Sequence, residues 1–236
     1  MVKITNIRCA RKHLSQSFDC PGFYPPVEVS FIKSAGLPGF DQNNIKGIVL
    51  VDSDADTTAA IVSRYVIDHP WIQLLQIKSS AEHQPGTKVV HAFNKAYANI
   101  DEDIDLIGKF DADIILPSNY FEILTDQFRS NSRLGLCSGI LYIKKAGVWE
   151  YEAIADKSHI RGPVKLYRKE CLDSMNGLRP GLGWDTADVM LAQFYGFETK
   201  TLPELHVYIL DLLEVSIINQ LQEIKVRPII SCDTDL

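Results

Sequence analysis

The chain is expected to adopt an α/β fold, with a mostly parallel sheet carrying helices on both faces, and three observations lead there. Apolar runs of strand length alternate with stretches of helical period. Two of those runs, ending at Val51 and Phe110, pass directly into acidic loops. The length, 236 residues at 46% hydrophobic content, is enough for one domain with a full core.

Each element has a local reason. Residues 1–45 read as irregular, because Pro21, Gly22, Pro25, Pro26, Gly36, Pro38 and Gly39 break any period. Within them only Val27–Ile32 alternates like a strand. Gly47–Val51 is a buried strand and residues 52–58 (DSDADTT) are the loop at its carboxyl end. Asp56 or Thr57 caps a helix over 58–68. A strand over 71–77 follows, then a Pro85-Gly86 loop. The helix over 89–99 places Val89, Phe93 and Tyr97 on one face. A strand over 104–110 ends at the acidic pair, and Pro117 opens a helix over 118–129. Residues 134–143 return as a strand, and 159–168 lead into a helix over 169–175. After the Gly/Pro-rich loop 176–183, a helix begins at Trp184, with Asp185 or Thr186 at its start and Gly196 at its end. Beyond 206, residues 210–224 form an amphipathic helix with Leu210, Leu213, Ile217, Leu221 and Ile224 on one stripe. The expected organisation is an irregular segment 1–45, a domain 46–206 and a helical tail 207–236.

Bulk properties exclude several classes. A net charge of −6 offers no basic block to neutralise phosphates, so a nucleic-acid partner is not expected. The five cysteines are scattered, odd in number and form no CxxC pair, which fits a reducing compartment and argues against zinc or a disulfide framework. No stretch reaches the about 18 apolar residues of a membrane span. The expected location is cytoplasmic, with a membrane-peripheral position left open.

The chemistry concentrates at Asp111 and Asp113, which stand one residue apart between two apolar runs. Like charges this close repel, and removing either from water is costly unless a positive partner is present. A divalent cation would resolve the conflict. In parallel sheets ligands sit beyond the carboxyl ends of the strands. Asp52, Asp54, Asp111 and Asp113 would therefore share one crevice.

Four ordered segments, VDSDADTTAAIVSRY, KVVHAFNKAY, FDADIILPSNYFE and HIRGPVKLYRKEC with GLRPGLGWDTADVMLAQFYGF, resemble the inverting family 2 glycosyltransferases of GT-A fold. The resemblance covers roughly residues 47–206. The family's first segment usually reads like VDDGSTDGT, and this chain is one residue shorter there. What the resemblance implies is a GT-A-like single domain with a Rossmann-like sheet. It implies a nucleotide-sugar donor, UDP- or GDP-linked, and Mn²⁺ or Mg²⁺ held by the D-x-D element Asp111-Ala-Asp113. Asp185 takes the place of the acceptor-side base. Asp52, Asp54, Lys88 and Asn94 fall on the donor side, and Arg161, Gly162 and Trp184 on the acceptor side. The acceptor would be a glycan or a lipid-linked glycan, as in polysaccharide biosynthesis.

Two departures from the family pattern stand out. With Val27–Ile32 as the first strand, too few residues precede Gly47 for the usual helix, so the first donor-binding element is missing or rebuilt. The His that relatives carry soon after a Pro-acid-Leu turn is absent after Pro203-Glu204-Leu205; His206, displaced by three residues, is a candidate substitute ligand. His83, His91 and His159 are lone histidines with packing or surface roles. Two alternatives follow. One is a nucleotide-sugar or glycan-binding remnant without turnover. The other is a phosphatase of the haloacid dehalogenase class, whose D-x-D-x-T/V pattern Asp54–Thr58 fits literally.

Overall fold

In the computed structural model the described residues are 2–7, 45–52, 59, 62–63, 66–67, 72–77, 86–100, 104–111 and 113–209. Their strands form one nine-stranded sheet. In chain order these are β1 (Val2–Ile7), β2 (Ile45–Asp52), β3 (Ile72–Gln76), β4 (Leu106–Phe110), β5 (Ile114–Ile115), β6 (Leu134–Lys145), β7 (Val148–Tyr151), β8 (Val164–Arg168) and β9 (Glu198–Ile209). Four helices have full bounds: α1 (Thr87–Tyr97), α2 (Tyr120–Ser130), α3 (Lys169–Met175) and α4 (Trp184–Phe194). Residues 59, 62, 63, 66 and 67 are also helical, inside the expected 58–68 helix.

The strand order is β3-β2-β1-β4-β8-β6-β9-β5, with β7 paired to β6 outside that path. From β3 to β4 all neighbours are parallel, whereas β8 runs antiparallel to both β4 and β6. The parallel half matches expectation.

The first strand is where the sequence reading needs correction. It is Val2–Ile7, lying between β2 and β4, not a later segment. Valine, threonine and two isoleucines over six residues are strong strand formers, but a terminal run with polar residues interleaved does not look like a buried parallel strand. With β1 placed there, residues 8–44 separate it from β2, so the shortage of chain inferred before Gly47 disappears. Val27–Ile32 and the 210–224 helix lie outside the described residues. Residues 207–209, assigned to the tail, instead finish β9.

Four further strands, β7, β8, β9 and the two-residue β5, were not expected from the sequence. β7 returns along β6 through a two-residue turn in which Ala146 and Gly147 both have positive φ, at 50° and 85°. That is the turn geometry whose twist suits a hairpin. Around it Tyr142, Tyr151, His206, Tyr208 and Trp149 pack ring against ring, with Lys144 over Trp149 and Lys157 over Tyr151. β8 lies within the stretch expected to lead into a helix, and Lys165 and Arg168 interrupt its apolar pattern. β9 contains the Pro203–Leu205 turn as a bulge: Leu202 is opposite Gly139 and His206 opposite Ile140, leaving three residues unmatched. A proline without N–H suits a bulge. Gly139 permits it, since a Cβ there would stand 2.2 Å from the Leu205 carbonyl oxygen.

Side chains alternate across the sheet into two cores. Leu106 and Phe110 of β4 and Val164 and Leu166 of β8 pack with Tyr120, Leu124 and Phe128 of α2. On the other face Ile107 and Tyr167 pack with Phe93 of α1, Leu172 and Met175 of α3 and Ala192 of α4. Cys137 and Cys171 are free thiols buried in these cores, and burial pushes each up to about 12. Neither should be alkylated by iodoacetamide in the folded protein at neutral pH, while both should react after denaturation; peptide mass spectrometry reads the difference. Early labelling of either would contradict this packing.

Candidate functional site

The register places the two acidic loops on one edge. Asn6 of β1 is opposite Leu50 of β2 on one side and Phe110 of β4 on the other. Asp52 and Asp111 therefore lie just past the same level of the sheet, with one strand between them. Asp54 lies outside the described residues, and only the backbone of Asp52 is described. Asp113 ends the short connection from β4 to β5, whose Ile114 pairs with Ile209 of β9.

Asp111 finds its positive partner within the chain. Lys109, on the same face of β4 two residues earlier, is 1% exposed. Its ammonium group pairs with Asp111 Oδ1 and donates to the Gly162 carbonyl at 2.9 Å. The Asp111 N–H donates to the Pro163 carbonyl at 3.0 Å. These bonds fix the start of the D-x-D loop against the turn before β8. Asp111 keeps 30% of its side chain exposed, so one carboxylate edge remains accessible.

Directly opposite Lys109 in register stands Lys165 of β8. Like charges facing each other across strands repel, and each lysine here is matched by its own carboxylate. Lys165 is completely buried and donates to Asp188 Oδ1 at 2.7 Å, Asp188 Oδ2 at 2.8 Å and the backbone carbonyl of Asp185 at 2.6 Å. The Tyr167 hydroxyl donates to Asp188 Oδ2 at 2.5 Å. Burial pushes the Lys165 ammonium down and the Asp188 carboxyl up from their ordinary values, and their mutual attraction opposes both shifts. Burial and the Asp188 charge raise Tyr167 well above the usual phenol range.

This network docks α4, and with it Asp185. The helix is capped at its start by Gly183 with φ 76° and no side-chain cap bond, so Asp185 is not the N-cap but belongs to the first turn. Its carboxylate is 26% exposed and lies 3.8 Å from Arg161 Nη1. Arg161 is anchored by Glu152, from Nε to Oε2 at 3.0 Å. Gly162 separates the two acidic centres. Its carbonyl holds Lys109, and a Cβ built on it would come within 3.3 Å of Asp185 Oδ2 and 3.2 Å of Trp184. Neither neighbour gives easily, since Lys165 ties down the Asp185 backbone. Gly162→Ala is accordingly expected to cost about 1–3 kcal/mol, read as a lowered thermal midpoint; an unchanged midpoint would mean the turn relaxes freely.

Two expected site residues have other work in this fold. The Asn94 carboxamide is spent on the Leu178 backbone, donating to its carbonyl at 2.8 Å and accepting from its N–H at 3.0 Å. It pins the loop that leads into α4. Trp184 lies against Gly86 and Gly162, with the Lys109 and Lys165 ammonium groups each 5.2 Å from its ring centroid. Its ring packs the cluster on these sides. Lys88 sits in the first turn of α1. The His206 ring packs on Tyr142, its Nε2 3.3 Å from the hydroxyl. Burial and the charge of Lys165 push the half-buried His159 below its ordinary range.

Among the described residues no group of three or more His, Cys, Asp or Glu is placed to hold a metal ion. A hard divalent cation of the Mg²⁺ or Mn²⁺ kind takes one or two carboxylates and completes its shell with phosphate oxygens and water, and the partly exposed Asp111 has the chemistry of such a ligand. Lysine-bound Oδ1 leaves the other oxygen of Asp111 for that purpose.

Lys109, Lys165, Tyr167, Asp188 and Glu152 were not picked out from sequence. The signal was present: a lysine inside the apolar run LIGKF, another inside VKLY, and an aspartate inside a mostly apolar helix. Charges in such positions are almost never fully buried unless paired.

No family model and no curated protein matches the chain. Solved structures do. The mannosyltransferase PcManGT from Pyrobaculum calidifontis, in complex with GDP-Man and Mn²⁺, superposes with a TM-score of 0.63 at 14% identity, over 88% of this chain and 56% of that one. S. aureus TarS gives 0.61 at 16% identity, over 89% of this chain and 36% of TarS. TarS 1-349 in complex with UDP gives 0.62 at 12% identity, over 89% and 60%. The fold is GT-A-like. The chain thus spans about half the length of the mannosyltransferase and about a third of TarS. Among the described residues no helix is long and apolar enough to cross a membrane.

Proposed function

We propose that this chain is a glycosyltransferase of the family 2 type, moving a sugar from a UDP- or GDP-linked donor to an acceptor hydroxyl with inversion, assisted by Mn²⁺ or Mg²⁺. The observation that carries the reading is that two partly exposed acids are tied to Gly162: Asp111, just past β4, through the Lys109 that holds its carboxylate and donates to the Gly162 carbonyl, and Asp185, in the first turn of α4, through its place beside the Gly162 Cα. The GT-A-like fold supports it.

In this reading the donor diphosphate lies at the carboxyl edge of the parallel strands, beside Asp52, Asp111 and Asp113. Asp111 and Asp113 would hold a divalent ion there, which would supply Lewis-acid stabilisation of the charge on the departing diphosphate. Lys109 holds Asp111 at a fixed position through its ion pair and its bond to Gly162. The acceptor approaches from the Arg161–Asp185 side. Asp185 accepts the proton of the attacking hydroxyl while the new bond forms on the face opposite the leaving diphosphate, hence inversion. Arg161, held away by Glu152, keeps a positive charge near Asp185 without a close ion pair that would tie up the base.

The test is Mn²⁺-dependent release of nucleoside diphosphate from UDP-glucose and GDP-mannose by the full chain. Release with one of them, abolished by Asp113→Ala and by chelation, is the expected result. Binding of the sugar nucleotide without release would sink the proposal of turnover, and release of inorganic phosphate from phosphomonoesters would sink the transferase class.

A further inference from the structure

We infer that Lys165 is a positioning residue for the reaction, setting where Asp185 stands relative to the D-x-D loop; the inference rests on the transferase reading above. A buried ion pair is weak evidence for stability, because a well-packed apolar pair of similar volume is often as stable. What the pair supplies here is direction. The three protons of the Lys165 ammonium meet three acceptors, two on the Asp188 carboxylate and one on the Asp185 backbone. All three belong to just two residues, Asp185 and Asp188, three apart on α4, where such residues share a helix face. Any rotation or sliding of the helix that moved Asp188 would carry Asp185 with it. Tyr167, two residues along β8, donates to Oδ2 of the same carboxylate.

The link extends to the donor side through the sheet. Lys165 is opposite Lys109, and Lys109 holds Asp111. The two lysines face the same indole, that of Trp184, the residue just before Asp185. Asp111 and Asp185 thus hang from adjacent positions of one antiparallel strand pair. Transfer needs the base and the leaving diphosphate at a set separation, and a misplacement of about 1 Å costs about 10²-fold in rate.

The test replaces the charged network by apolar residues of similar size, Lys165→Met with Tyr167→Phe and Asp188→Leu, in the full chain. Circular dichroism and thermal melting report the fold, and nucleoside diphosphate release from UDP-glucose and GDP-mannose with Mn²⁺ reports kcat and donor KM. A folded triple variant should lose about 10²-fold in kcat with donor KM changed by less than about threefold. Unchanged kcat, or a raised KM at unchanged kcat, would overturn the inference. Should the triple variant not fold, Lys165→Arg keeps the charge but not the compact donor geometry, and its kcat should fall by about tenfold on the same reasoning; full activity would refute the role. A readout independent of turnover separates this inference from the transferase reading. With 5-fluorotryptophan incorporated and the Trp184 resonance assigned by Trp184→Phe, that resonance should shift and broaden in the Lys165 variants. If the unmodified chain releases no nucleoside diphosphate, the transferase reading fails. An unmoved Trp184 resonance shows instead that Lys165 does not fix the first turn of α4.

Discussion

Asp185→Asn should lower kcat for sugar transfer by about 10²–10⁴-fold, the usual contribution of a general base. Asparagine keeps the shape and can still lie against Gly162, but it has no basic oxygen to take the acceptor proton. The backbone carbonyl of residue 185 remains, so the bond from Lys165 and the docking of α4 should survive. The thermal midpoint should barely move, and donor KM should stay within about threefold, since the proposed role of the residue is toward the acceptor. A variant that kept its kcat would remove Asp185 from the chemistry. One that unfolded would show the carboxylate to be structural.

The largest effect on stability is expected for Lys165→Met alone. Removing one partner of a buried ion pair typically costs about 3–5 kcal/mol, because the other charge is left without a counter-ion. Here the orphan is Asp188, 2% exposed, with the Tyr167 hydroxyl and the Val189 N–H left as its hydrogen-bond partners among the described residues. Burial already pushes the Asp188 carboxyl upward, and in the variant no cation opposes it. The sign of the pH dependence follows. The unfolded chain releases this proton near the ordinary value of 3.8, while the folded variant holds it to higher pH. The folded state then binds more protons over that window, so the variant's stability should fall as pH rises from about 4 towards 7. Urea denaturation across that range measures it. Adding Asp188→Leu should restore much of the loss, making the pair of changes less damaging than either alone. Equal stability of the single variant and the parent would mean that the ammonium group is not buried as described.

The legible part of this fold followed local rules. Alternation of apolar runs marked β2, β3, β4 and β6, and helical period marked α1, α2 and α4 to within about three residues. Gly196, with φ 86°, ends α4 as its position suggested. The illegible part needed partners distant in the chain. β1 becomes a central parallel strand only because β2 and β4 flank it, and nothing in Val2–Ile7 names those neighbours. β8 and β9 carry charges or a proline that argue against strand until a buried carboxylate, or a bulge facing Gly139, accounts for each.

The same division holds at the candidate site. By itself the sequence determined that two acidic loops end apolar strands, that Asp111 and Asp113 need a positive partner, and that Asp185 opens a helix ending in glycine. These are statements about residue type and spacing along one segment, which local geometry suffices to read. Only the tertiary structure decided that the partner of Asp111 includes Lys109 of its own strand, and that Asn94 is spent on the Leu178 backbone. It also decided that Asp185 is held in place from β8 through Lys165 and Asp188. Hydrogen bonds and ion pairs across 20 or more positions of sequence depend on which strands lie side by side and which face each side chain takes, and that is settled when the sheet assembles.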